Sequence, residues 1–307
     1  MISALSGVQQ LYLADLTQTQ NQMQTAENQL SSGLQVQQAS DDPGAVMEIL
    51  QIQSELGQNQ QLQTNLNSAT TELDTADSSL QDAVQQLTNA TSLGTEGASS
   101  TTSASERANL ATQVNGILQT LVGISQTTVN GQYIFSGDNT SQPQYQLDAT
   151  EADGVAQNFA ATNTRTIVDG NGAPISITMT AQQIFDAQDS SGNPTSANVF
   201  AAVSALQTAL QNNDTAGITQ AMSLIQSASA NVNSALQFYG TAEDRISDST
   251  TLAQKFQTDE QTQLGQLQDA NIPAEALQLT QTQTDDQAAL SSQAKIEQMQ
   301  DLFSYLG

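Results

Sequence analysis

Two pairs of adjacent carboxylates, Asp41-Asp42 and Asp285-Asp286, are the residues best placed by type to do chemistry. Paired carboxylates can exchange protons with a substrate or hold a hard cation. Asp41-Asp42 runs straight into Pro43-Gly44. A proline at the first helical position makes Asp42 the natural N-cap, and both charges favour the positive end of a helix. Adjacent side chains on an extended chain also point to opposite faces, which works against a shared site. Asp285-Asp286 falls inside a helical pattern and reads as a solvated face. The chain has no His, which removes the commonest general base, and no Cys, which removes thiolate chemistry. A serine nucleophile would need a lysine as base, and Lys255 and Lys295 both sit on predicted helical surfaces. A zinc H-E-x-x-H site needs the missing His. The stretch "GDNT" at 137–140 resembles neither a calcium loop nor a phosphate loop. The reading is a protein that is not an enzyme, with no cofactor and no catalytic or metal site.

The charge balance narrows the partners. There are 31 Asp and Glu against five Lys and Arg, a formal net charge of −26. The basic residues Arg107, Arg165, Arg245, Lys255 and Lys295 are scattered. Nucleic acid binding needs clustered cations, so no nucleic-acid partner is expected. An anionic membrane surface would repel the chain, and no apolar run reaches the length of a membrane span. The start, "MISALSGVQQLYLADLTQ", lacks the basic and apolar regions of a secretory signal peptide.

The elements are set by alternating three- and four-residue apolar steps. Leu16, Thr19, Met23, Ala26 and Leu30 form the first seam, which stops near Gly33. Pro43 restarts a helix through Ala45, Ile49, Ile52 and Leu56. Its register slips around Asn59 to Leu66, then resumes from Ala69 to Ala90. "SLGTEGASSTTSASE" reads as a loop. A third helix carries Leu110, Val114, Ile117, Leu121 and Ile124, and stops at Asn130-Gly131. From Tyr133 to about Asn198, β-branched and aromatic residues lie between turn dipeptides such as Asp169-Gly170 and Asn171-Gly172. Helix resumes near Ala197. Asp214 then looks like an N-cap for the longest register, Ile225 to Phe256, with Leu267 beyond a polar lapse. Pro273 breaks that pattern. The final helix has Ile296, Met299, Phe303 and Leu306 along its apolar edge.

The predicted fold is mainly α, a long antiparallel coiled coil or helical bundle made from the N- and C-terminal segments, with a small β-containing central insert. The expected divisions are a terminal coiled coil from 1–42 and 271–307, a helical rod from 43–132 and 197–270, and a β-rich insert from 133–196. Thr19, Ala26, Thr284, Ala288 and Ser291 make the terminal seams thin. Burying a leucine is worth roughly 1.5–3 kcal/mol and ordering a residue costs about 1–2 kcal/mol, so these helices are short of burial partners. Either other subunits supply them, or the chain is a monomeric bundle with fraying ends.

Three stretches carry a family resemblance. "QLSSGLQVQQASDDPGAVMEILQIQSEL" resembles the N-terminal region of the bacterial flagellins and their junction homologues. "TTVNGQYIFSGDNT" resembles a segment typical of the junction group. "LQDANIPAEALQLTQTQTDDQAALSSQAKIEQM" and the closing "DLFSYLG" are similar to that group's C-terminal region. Together they span about residues 10–140 and 200–307. Within the family, Pro43 after Asp41 and Asp42, the segment holding Tyr133, Phe135 and Gly137, and the Leu302–Leu306 ending point to the junction group. Leu34 and Gln35 stand where that family often has a basic residue.

The resemblance implies a structural subunit between flagellar hook and filament, exported by the flagellar type III apparatus without a cleaved signal and working outside the cell. It implies self-association in a ring, contact with the first hook-associated protein and with flagellin, and an export chaperone at the C-terminal region. It places Leu16, Met23, Leu30, Ile296, Met299, Phe303 and Leu306 in an inner tube of terminal helices. Gly33, Asp41, Asp42 and Pro43 would form the connector to the rod. The alternatives are a minor flagellin and, from another class, a secreted acidic coiled-coil adhesin or effector.

Overall fold

Leu66, Leu73, Leu80 and Leu87 recur every seven residues, and Ala69, Ala76, Ala83 and Ala90 fill the positions between them. A strict seven-residue repeat keeps one stripe facing a partner helix. In a computed structural model all eight side chains are buried. The structure describes residues 2–161 and 163–306, with side chains from residue 10 to residue 295. The chain forms α1 (Ile2–Ser32), α2 (Pro43–Ala98), α3 (Ala104–Ser125), α4 (Ala181–Phe185), α5 (Val199–Gln211), α6 (Thr215–Gln268) and α7 (Ile272–Leu306). Three short antiparallel hairpins lie between α3 and α4. They pair β1 (Thr128–Val129) with β2 (Gln132–Tyr133), β3 (Tyr145–Leu147) with β4 (Val155–Gln157), and β5 (Thr166–Val168) with β6 (Pro174–Ser176). The mainly α architecture with a small β insert is the one expected.

Two compact units divide the chain. The terminal unit holds residues 1–58 and 256–307, and the central unit holds residues 59–255.

In the central unit, α2 and α6 run antiparallel. Asn59 Nδ2 donates to the Ala253 carbonyl, while Thr95 lies against Met222. The facing seam of α6 is Ile218, Ala221, Ile225, Ala228, Val232, Ala235, Tyr239, Ala242, Ile246 and Ala253, all buried. Asn59 is a buried polar side chain at a seam position, satisfied by that bond to the Ala253 carbonyl, so the apolar pattern lapses there while the helix continues. On α3, Leu110, Val114, Ile117 and Leu121 are buried as the spacing predicts, and α3 packs on α5.

Two expectations about helix ends are corrected. "SLGTEGA" is helix, not loop: α2 continues to Ala98, leaving a short turn before Ser103 caps α3 through a reciprocal pair of bonds with Glu106. Gly94 and Gly97 mark close packing. A Cβ on Gly94 would come 2.8 Å from Met222 Cγ, and one on Gly97 would overlap Leu210 Cδ2. Helix α3 ends at Ser125, before Asn130-Gly131. That dipeptide instead turns the β1–β2 hairpin, with φ of 52° and 78°, the pair of positive values that a type I′ turn requires.

Candidate assembly surfaces

The terminal unit carries most of the residues singled out in the sequence. Tyr12, Leu16, Thr19, Met23, Ala26 and Leu30 follow steps of four and three along α1 and face inward; Ala26 is buried and the others are half-buried. Helix α1 packs on α7. The α7 seam is Leu279, Thr282, Asp286, Ala289 and Gln293. This corrects the expected seam, because Thr284, Ala288 and Ser291 are exposed. It also corrects the reading of Asp285-Asp286: Asp285 is exposed, but Asp286 is half-buried and its Oδ1 has no hydrogen-bond partner. On α6 the inward positions beyond Ala253 are Gln257, Glu260, Leu264 and Leu267, so Phe256 lies off the seam and is exposed. The side chains of Ile296, Met299, Phe303 and Leu306 lie outside the described residues.

The connector between α1 and α2 is ordered by its own hydrogen bonds. Gly33 takes φ +74° and donates its N–H to the Gln29 carbonyl, closing α1 with the backbone conformation that favours glycine. Asp41 Oδ2 accepts from the Gln37 and Gln38 amides at 2.9 and 2.8 Å. These bonds, Gln38's first, hold the exposed Asp41 carboxyl below its ordinary value. Asp42 Oδ1 accepts from Gly44 and Ala45 at 2.9 and 3.0 Å, so it is the N-cap of α2, and Pro43 opens the helix. The two carboxylates therefore serve different amides.

Burial separates the two units sharply. Among the described residues, the terminal unit buries only Ala26, Val36, Ile49 and Ile52 as apolar side chains, and every other buried apolar residue is central. The large apolar side chains left exposed show the reverse. Leu11, Leu13, Met47, Leu50, Phe256, Ile272, Leu277 and Leu290 are terminal; Leu147 and Val168 are central. Leu11 is 73% exposed, Met47 78% and Leu277 69%. Single exposed leucines are ordinary, but their concentration, among the described residues, on the unit that buries the fewest apolar side chains makes these faces the candidate contact surfaces.

Tyr133, Phe135 and Gly137 fall in the central unit, apart from the other candidates. Phe135 is fully buried and meets Phe185 and Tyr239 edge to face, at 6.1 and 6.3 Å between ring centroids. Its carbonyl accepts from Ala181 at the start of α4, and Gln144 Oε1 accepts from Gln182. Gly137 has φ +65°, and a Cβ there would sit 2.6 Å from the Asn163 carbonyl oxygen. This segment ties the hairpins to α4 and α6. Half-buried Tyr133 sits at the end of β2.

Sequence reasoning missed the buried polar groups of the central unit. Arg107 Nε donates to the Gly97 carbonyl, and its terminal nitrogens donate to Ser99 and Asn213. Arg165 pairs with buried Glu72. Burial raises the Glu72 carboxyl above its ordinary value despite the opposing Arg165 charge. Asp186 accepts from Tyr145 and Asn198 at 2.7 and 2.5 Å. Isolated Arg and Asp residues carry no local signal of their distant partners.

Among the described residues, no three His, Cys, Asp or Glu gather as metal ligands, and no helix is long and apolar enough to cross a membrane.

Residues 6–140 match the family model of the bacterial flagellin N-terminal helical region. Over those residues the chain is similar to the N-terminal helical region of the bacterial flagellins. The match spans α1, the connector, α2, α3 and the Tyr133–Gly137 segment, which bears out the resemblance drawn from these stretches. No curated protein matches the chain in sequence. Solved structures extend the likeness beyond this flagellin region. A structure assigned as a flagellar hook-associated protein from Vibrio parahaemolyticus superposes with a TM-score of 0.65 at 19% identity, covering 75% of this chain and all of that one. Flagellar hook-associated protein-3 from Legionella pneumophila gives 0.62 at 14% identity, over 71% of this chain and 98% of that one. FlgL from Xanthomonas campestris gives 0.56 at 14% identity, over 68% and 99%. At these identities the likeness is one of fold.

Proposed function

We propose that this flagellin-type chain is a structural subunit of the bacterial flagellum that joins the hook to the flagellin filament. The observation that carries the reading is the contrast between the units: among the described residues, the terminal helices expose large apolar side chains and bury almost none. Copies arranged in a ring would cover those faces. The N-terminal flagellin region and the fold of hook-associated proteins support the same placement. In this reading residues 1–42 and 271–307 form the inner coiled-coil tube, residues 43–132 and 197–270 the rod, and residues 133–196 an outer insert. The neighbours are the first hook-associated protein on one side and flagellin on the other, with an export chaperone at the C-terminal region before secretion through the flagellar apparatus. The protein works outside the cell and carries out no catalysis.

The second reading is a minor flagellin, which the N-terminal family match also favours. Deleting the gene separates the two. Loss of the junction leaves hooks that shed unassembled flagellin into the medium. Filaments of normal number and length in the deletion strain would overturn the junction reading.

A further inference from the structure

The two chain breaks of the terminal unit satisfy each other's backbone groups. Gln268 ends α6 with a carbonyl that the helix itself cannot satisfy. That oxygen accepts from Gln35 N–H at 2.7 Å and Val36 N–H at 3.4 Å. In return, Ala270 N–H donates at 2.9 Å to the carbonyl of Gly33, the residue that closes α1. Leu34 and Asp269 thereby form an isolated antiparallel bridge, and Val36 is buried beside it.

Each side is braced locally. Gln29 Nε2 donates to the Gln35 carbonyl, Leu34 N–H donates to Ser32 Oγ, and Asp41 holds the Gln37 and Gln38 amides. Across the bridge, Asn271 Oδ1 accepts from Ala274 N–H and starts α7. The bridge therefore joins the exact end of α1 to the turn that launches α7. The α7 side of the seam between those helices is mostly polar, through Thr282, Asp286 and Gln293, and a lone helix gains little stability in water. We propose that this reciprocal cap is a clasp that couples α1 to α7, so that the two ends of the chain order and open as one body.

The inference does not depend on the flagellar reading. It makes an opening event at either break release both helices, so neither terminal helix is presented to a partner alone.

Amide hydrogen exchange on the full chain tests it, with the central unit as internal control. In the unaltered chain the amides of Gln18–Ser32 and of Ala276–Gln293 should share one protection factor. Gln35→Pro removes one clasp donor from the α1 side and should speed exchange about five- to tenfold in both helices, the factor expected for one hydrogen bond. Gly33→Ala strains the positive φ and should give a smaller but again equal change. The α7 amides report on a substitution made at the opposite end of the sequence. Faster exchange confined to residues 33–38, unequal changes in α1 and α7, or no protection of either helix in the unaltered chain would each overturn the clasp.

Discussion

Arg107, on the first turn of α3, reaches Asn213 in the turn before α6, with its Nη1 2.6 Å from Asn213 Oδ1. Its remaining donors close the turn after α2 through the Gly97 and Ser99 carbonyls. One buried side chain thus fixes two helix connections. Arg107→Met leaves those acceptors without a charged donor and should cost about 2 kcal/mol, measured by urea unfolding of the central unit. Arg107→Lys should recover only part of this, because one ammonium cannot follow a planar fork to three acceptors.

Glycines in helices usually weaken them, and Gly116→Ala should follow that rule. It lies exposed in α3 with open space at its Cβ, so alanine should stabilise by about 1 kcal/mol. Gly97→Ala should have the opposite sign. The added carbon overlaps Leu210, and overpacking of about 1–3 kcal/mol outweighs the propensity gain. The melting temperatures of the two variants should move in opposite directions.

The Glu72–Arg165 pair gives a pH dependence. Glu72 holds its proton to higher pH when folded than when unfolded, because of its burial. Its contribution to stability therefore falls as pH rises through the folded value. Arg165→Met removes the opposing cation and should raise that value further. The variant should lose about 2–3 kcal/mol at neutral pH, discounted from a fully buried pair because Arg165 is partly exposed. The deficit should shrink towards pH 4, where Glu72 is protonated in the variant. Denaturant titrations at the two pH values measure it, and an equal deficit at both contradicts the assignment.

The exposed apolar faces predict a difference between lone and assembled chains. Leu11→Ser with Leu277→Ser should leave the central unit's melting within about 0.5 kcal/mol of the parent, since both residues are surface positions. The same double variant should fail to assemble. Mild protease should trim the dilute parent of about residues 1–40 and a similar C-terminal length, while assembled chains resist.

Much of this architecture is local and was legible. Asp42 followed by Pro43 announces a helix start within four residues, and the spacing from Leu66 to Ala90 states which face of α2 is buried. The misreadings have physical reasons. Gly94 and Gly97 look like turn residues, but glycine also marks places where another side chain comes close to the backbone. The α7 seam runs through Thr282, Asp286 and Gln293, so apolar spacing could not find it. Nothing near Gly33 indicates that its carbonyl meets Ala270, because that bond joins opposite ends of the sequence. The contrast in burial between the units needed the structure, since Leu277 and Leu279 have the same side chain and differ only in which way α7 turns them.

The position of the protein on the flagellum tests the central claim most directly. Gold labelling of an epitope inserted at the exposed Asn171-Gly172 turn, viewed by electron microscopy on intact flagella, should place a single narrow band where the hook meets the filament. Label distributed along the filament, or absent from flagella while present elsewhere on the cell, would contradict it.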